Sequence, residues 1–338
     1  MRPARARLHD GAAPSRQREQ ALSIRQQEAP RLDPRKFQDP EVTLKGEPRA
    51  KVALGALRTL WFNTGTLCNI ACAHCYIESS PRNDALAYLT LEEVRRFLDE
   101  ARGQPLEEVG FTGGEPFMNP ELVPMLDDVL ARGLRALVLT NAMQPLRRHR
   151  AALRALLDRH GPERLILRVS LDHHDAAAHD LERGAGSFAR TLEGMRWLAR
   201  EGFTLHVAGR AGFGQAGEAA MRAGYAALFA AHGIAVDAAD PVALMLFPEM
   251  DAGRDVPEIT TACWGILGKS PQSVMCASSR MVVRRKGAPR AAVLACTLLA
   301  YDPRFELGAT LAEAARPVAL NHPHCARFCV LGGAACSR

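Results

Sequence analysis

Three cysteines stand close together early in the chain, Cys68, Cys72 and Cys75, with the spacing C-x3-C-x2-C. Thiolates are soft ligands, suited to zinc and to iron–sulfur clusters rather than to hard cations. Three of them in one tight loop suffice to hold three irons of a cubane [4Fe–4S] cluster. The missing fourth cysteine then leaves one iron open to an outside ligand, a position that a simple electron carrier would close. A zinc knuckle with His74 as fourth donor is the competing reading. The adjacency of His74 to Cys75, and the strand that leads into the loop, weigh against it.

The other six cysteines, Cys263 to Cys336, follow a long cysteine-free stretch, so the sequence carries two separate thiol stations. The first thirty residues are rich in Arg and Gln and lack the apolar core of a secretory signal. No run of about 18 apolar residues suggests a membrane span. A cytoplasmic protein is expected, and in that compartment clustered cysteines read as metal or redox groups rather than disulfides.

The elements that must position these thiols are legible as an alternation. Apolar strand-like runs fall at 60–63, 108–112, 136–140, 165–171, 204–208 and 242–247. Helical patterns lie between them, at about 120–132, 147–159, 187–201 and 215–232. A capping box, Thr90 with Glu93, opens a further helix running to about residue 101. Strand–helix units of this spacing imply parallel strands with crossover helices. Six of them suit an α/β partial (β/α)6 TIM-like barrel, with an open doubly wound sheet as the alternative.

The alternation ends near residue 250. Beyond it, runs at 274–285 and 291–297 flank Lys286-Gly287-Ala288-Pro289, a hairpin signal. A short helix at 310–315 and a cysteine-rich tail follow. Three regions are therefore expected: a disordered basic N-terminal arm (1–50), a core (51–250) and a Cys-rich extension (251–338). The 338 residues are 47% hydrophobic and 24% charged, ordinary for a globular chain. The net charge is +6, of which residues 1–50 supply +4. The remainder is near neutral and has no basic stripe interleaved with aromatics, which argues against a nucleic-acid partner.

The cysteine loop after the first strand resembles the radical S-adenosylmethionine (SAM) superfamily, and further motifs extend the resemblance over residues 58–250. Phe111-Thr112-Gly113-Gly114-Glu115-Pro116 matches the family's Gly-Gly-Glu-Pro turn, and Leu139-Thr140-Asn141 falls at the third strand's end. Ser170-Leu171-Asp172 matches the fourth-strand segment, and Arg183-Gly184-Ala185-Gly186-Ser187-Phe188 the run beyond it. Four motifs in order at strand ends are a specific signal. The resemblance implies that Cys68, Cys72 and Cys75 hold the cluster and that Gly113, Gly114, Glu115 and Pro116 meet the methionyl amine of SAM. It implies that Thr140 and Asn141 present polar groups, and that Ser170 and Asp172 bond the ribose. Arg210 is expected to clamp the methionyl carboxylate, with an ordinary salt bridge as the alternative. His74 stands where the family usually has an aromatic residue and is expected to stack in its place.

The tail resembles the twitch/SPASM extension that carries auxiliary clusters. Cys276 and Cys296 flank the hairpin, and Cys325, Cys329 and Cys336 follow. Four of these five are expected to hold one auxiliary [4Fe–4S] cluster, with zinc as the alternative. Cys263 reads as a buried structural thiol, with a cluster ligand or a substrate neighbour as alternatives. His173, His174, Glu249 and Asp251 are candidates for substrate contact from their places after strands four and six. The implied activity is reductive cleavage of SAM to methionine and a 5′-deoxyadenosyl radical, which takes hydrogen from, or adds to, a peptide, protein or small-molecule substrate. A low-potential donor of flavodoxin or ferredoxin type would supply the electron. A non-catalytic iron–sulfur or zinc protein, or an RNA-modifying enzyme, are the rival readings.

Overall fold

A computed structural model describes residues 30–211, 217–248 and 251–333. Six strands run parallel in sequence order: β1 (Thr59–Asn63), β2 (Glu108–Thr112), β3 (Arg135–Thr140), β4 (Leu165–Ser170), β5 (Thr204–Arg210) and β6 (Leu244–Phe247). Every residue of β1 and β2 is buried. That is the pattern of strands covered on both faces, and it explains their nearly continuous apolar composition. Helices α1 (Leu91–Glu100), α2 (Leu122–Ala131), α3 (Arg150–His160), α4 (Ala176–Arg183), α5 (Ser187–Arg200) and α6 (Glu218–His232) form the crossovers.

Local chemistry sets several boundaries. Glu93 N–H donates to Thr90 Oγ1 at 3.2 Å while Glu93 Oε2 accepts from Thr90 N–H at 3.0 Å, so the capping box forms as read. From there α1 buries Val94, Phe97 and Leu98 against the sheet. α4 was not foreseen. Asp175 caps it by accepting from Ala178 N–H, and its last two residues reach back over the strand ends.

The C-terminal region is woven into the same sheet. β7 (Ser279–Val283) pairs in parallel with β1, on the edge opposite β2. β8 (Ala292–Leu294) pairs antiparallel with β7 as the expected hairpin, and β9 (Glu306–Gly308) adds an unforeseen third strand. The full order is β9-β8-β7-β1-β2-β3-β4-β5-β6, an open sheet whose edges are β9 and β6. The expected helix at 310–315 is a single 3-10 turn, Glu313–Ala315.

Of the expected arm 1–50, residues 1–29 lie outside the described residues, and residues 30–50 pack against the rest of the chain. Phe37 is buried, and a two-residue ribbon joins Lys51–Val52 to Val318–Ala319. Arg49 and Glu258 form a buried ion pair at 2.6 Å, with 1% and 6% side-chain exposure. Glu258 also accepts from the Phe37 and Leu44 amides, both at 2.7 Å. The polar composition of this stretch hid that pairing, because its partner lies more than 200 residues away. Among the described residues no helix is long and apolar enough to cross a membrane.

Candidate active site

Parallel strands place all their C-terminal ends on one side, and there the chain forms a recess. Its empty space, open solvent at the mouth included, is about 1160 Å³. Cys68, Cys72 and Cys75 line it, as do Gly113 and Gly114 after β2, Thr140 and Asn141 at the end of β3, and Ser170 and Asp172 at the end of β4. Arg183 from α4 and Arg210 from β5 complete the polar side.

The cysteine loop is held at its ends and by its neighbours. Cys68 N–H donates to Ser80 O at 3.1 Å, and Ser79 N–H lies 3.4 Å from Cys75 Sγ. Gly114 N–H donates to Gly65 O and Glu115 N–H to Leu67 O, so the glycine turn lies directly against the approach to Cys68. A Cβ at Gly114 would stand 2.2 Å from Leu67 O, and one at Gly113 would stand 2.4 Å from Gly65 O. Gly113 also has φ +140°. Only glycine fits either position.

Glu115 lies buried behind the glycine turn. Its oxygens take the Thr140 hydroxyl and the Asn141 amide, both at 2.8 Å, and neither Glu115 nor Pro116 lines the recess. Burial pushes its carboxyl up to about 7, opposed by the bonds from Asn141, Thr140 and Phe117. It braces the strand ends from behind. Asn141 in turn donates to Asn69 Oδ1 at 2.8 Å, tying the end of β3 to the cysteine loop.

The far wall is ionic. Arg183 grips Asp172 through two hydrogen bonds, 2.8 and 3.0 Å. Burial works against the Asp172 carboxylate, but the charge and bonds of Arg183 outweigh it and hold Asp172 below its usual range. Arg210 donates to Glu182 at 2.6 Å, and Glu182 also meets His74 Nδ1 at 2.9 Å. His74 therefore lines the recess while hydrogen-bonded to Glu182. Glu182 and Arg183 were missed as site residues because no strand end carries them. The run Arg183–Phe188 was noted only as a motif.

The remaining wall is apolar: Phe247 at the end of β6 and Pro248 just after it, with Leu298 and Phe328 from the C-terminal region. The Phe247 and Phe328 rings stack at 5.5 Å and 27°. Several candidates lie elsewhere. His173 Nδ1 accepts from Asp175 N–H, and its ring faces His174. Asp251 accepts from Gly253 N–H, and Cys263 sits at the start of a five-residue helix beside Thr260. None of these four lines the recess. Glu249 and Cys336 lie outside the described residues.

The loop thiols suit an iron–sulfur cluster. Burial pushes Cys68 up to about 12, helped by the charges of Glu115, Cys72 and Cys75, and burial raises Cys72 against the pull of Arg183. Metal binding would draw these thiols into the thiolate form. At the second station, Cys325 and Cys329 share the seven-residue π-helical segment Cys325–Leu331. Burial, then the charges of Cys296, Cys329 and Cys276, lift Cys325 well above its ordinary value, so each of the three lies within electrostatic reach of Cys325. Burial pushes Cys276 up to about 11, with Arg280 opposing. Arg280, a residue the sequence did not flag, is buried and bonds the Cys276, Ser279 and Ala314 carbonyls. Among the described residues, no three Cys, His, Asp or Glu side chains converge on one point as a lone ion requires. A cubane instead takes one thiolate per iron.

Residues 62–213 match the family model described as the Radical SAM superfamily. This stretch of the chain is a radical SAM domain. It is 32% identical over 142 residues to the antilisterial bacteriocin subtilosin biosynthesis protein AlbA of Bacillus subtilis, covering 42% of this chain and 30% of the relative. It is 33% identical over 143 residues to the AdoMet-dependent heme synthase of Methanosarcina barkeri, covering 41% and 38%. The chain thus spans about a third of the length of these curated relatives. The crystal structure of Streptococcus suis SuiB bound to precursor peptide SuiA superposes with a TM-score of 0.54 at 11% identity, over 76% of this chain and 63% of that one. That likeness is one of fold, the partial barrel of radical SAM proteins.

Proposed function

We propose that this radical SAM enzyme modifies a peptide or protein, using a SAM-binding [4Fe–4S] cluster on Cys68, Cys72 and Cys75 and one auxiliary cluster in residues 251–338. The observation that carries the reading is the convergence, in one recess, of the three-thiol loop, the close Gly113–Gly114 turn and the Asp172–Arg183–Arg210 wall. When bound, cluster and SAM together supply one-electron cleavage of the sulfonium and a carbon radical that takes hydrogen from the substrate.

The chain's own residues do the placing. Gly113 and Gly114 let the backbone approach SAM, and Thr140, Asn141, Ser170 and Asp172 offer it polar contacts. Arg210 and Arg183 give the recess a cationic side for the methionyl carboxylate. Phe247, Leu298 and Phe328 keep water from the opposite side, where substrate would enter. We assign Cys276, Cys296, Cys325 and Cys329 to the auxiliary cluster, supported by the electrostatic reach of the other three thiols to Cys325. The electron would come from a flavodoxin- or ferredoxin-type donor, in the reducing cytoplasm that cluster chemistry favours.

The peptide reading is supported by the similarity to a bacteriocin biosynthesis protein and to a fold seen with a bound precursor peptide. A small-molecule substrate is the second reading, favoured by the similarity to a heme synthase. Iron and sulfide analysis tests the cluster assignment. The anaerobically reconstituted chain should hold about eight irons, and the triple variant C68A/C72A/C75A about four. A wild-type value near four, unchanged in the triple variant, would remove the SAM cluster from this site. Dithionite-reduced protein should convert SAM to methionine and 5′-deoxyadenosine. A cluster-loaded chain that leaves SAM intact would refute the activity.

A further inference from the structure

The spacer between Cys72 and Cys75 consists of Ala73 and His74, and one residue of a distant helix holds both. His74 Nδ1 lies 2.9 and 3.1 Å from the two carboxylate oxygens of Glu182. Ala73 N–H donates to the Glu182 main-chain carbonyl at 2.8 Å. The same carboxylate receives Arg210 Nη1 at 2.6 Å. The clasp is anchored on the α4 side, where the Glu182 side chain is 7% exposed against 58% for His74. The next residue, Arg183, is fixed to Asp172. The end of α4 therefore grips the cysteine loop with one residue and β4 with the next.

We propose that Glu182 is a positioning residue, which clasps the C-x2-C spacer to the end of β5 and so fixes where Cys72 and Cys75 stand and where Arg210 points. A carboxylate shared by an imidazole and a guanidinium makes charge-assisted bonds, stronger and more directional than neutral ones. Such a clasp does for this chain what a packed aromatic at position 74 would do by burial, since His74 is too polar and too exposed to anchor itself. It also sets the charge balance of the recess. Glu182 and Asp172 stand against Arg210 and Arg183, two carboxylates beside two guanidiniums.

The test uses the full chain, stripped of iron by a chelator and checked for fold by circular dichroism, as wild type, E182L and E182Q. Iodoacetamide alkylation is followed at each cysteine by mass spectrometry. In E182L, Cys72 and Cys75 should react about tenfold faster, the cost of one charge-assisted hydrogen bond, while Cys276 and Cys325 keep their rates. E182Q retains bonding capacity toward both partners and should stay within about threefold of wild type. A second arm, which rests on the proposed function, measures SAM turnover by loaded enzyme. There KM for SAM should rise more in E182L than kcat falls. Unchanged Cys72 and Cys75 rates in E182L would overturn the proposal, and so would equal acceleration at all four cysteines, the mark of a general structural role. Failure of wild type to cleave SAM, with the alkylation pattern as expected, would sink the proposed function and leave the clasp standing.

Discussion

At the scale of single residues, the recess depends on buried charge being paired. Asp172 and Arg183 have side-chain exposures of 8% and 15%, so D172N leaves a guanidinium without its counter-ion. Removing one partner of such a pair costs about 3–5 kcal/mol. Thermal unfolding of D172N should shift down accordingly, and its affinity for SAM should fall. An unchanged midpoint would show the pair to be energetically idle. The loop cysteines, the glycine turn and Asp172 were legible because their types and order are specific. The bonds Glu115 makes to Thr140 and Asn141 were not legible, since spacing does not reveal which way a carboxylate faces. Glu182 and Arg280 were invisible because their partners are brought to them only by the fold.

At the scale of elements, two contacts make sharp predictions. Gly194 sits within α5, where a Cβ would stand 1.9 Å from Ala142 O. Alanine for glycine in a helix ordinarily gains about 1 kcal/mol, but here G194A should lose about 1–3 kcal/mol by overpacking against the end of β3. Denaturant titration reads the sign directly, and a stabilised variant would contradict the packing. The second contact is the Arg49–Glu258 pair. Burial opposes the Glu258 carboxylate, but the bonds from Arg49, Leu44 and Phe37 hold it below its ordinary value. A depressed carboxylate adds stability that is complete above the usual glutamate value of about 4.3 and fades as pH falls through the folded value. The Tm gap between wild type and E258Q should therefore be wide at neutral pH and shrink below about pH 4. A gap independent of pH would mean that charge is not what ties residues 37–49 down. The strands and the long helices followed from periodicity. α4 and the folded residues 30–50 did not, because one is short and the other polar.

For the whole molecule, the boundary near residue 250 separates kinds of sequence without separating sheets. β7 completes the free edge of β1, whose residues Thr59 to Phe62 pair with Ser279 to Val282. A chain cut to residues 51–250 should expose that apolar edge and aggregate on size-exclusion chromatography. A monodisperse, folded fragment would show the core to be independent. The hairpin was legible from its Gly–Pro turn, but its parallel docking on β1 was not, since nothing local specifies a partner more than 200 residues away. Phe328, between Cys325 and Cys329, reaches the recess from the same region, so the second thiol station and the first share one wall. The central claim is that the loop of Cys68, Cys72 and Cys75 leaves an iron open for SAM. Electron paramagnetic resonance of the reconstituted, reduced chain, with and without SAM labelled with 15N at its amine, tests it most directly. The cluster signal should change on SAM addition and show coupling to the labelled nitrogen, a response absent from C68A/C72A/C75A. A reduced cluster in that loop whose signal is indifferent to SAM would contradict the account.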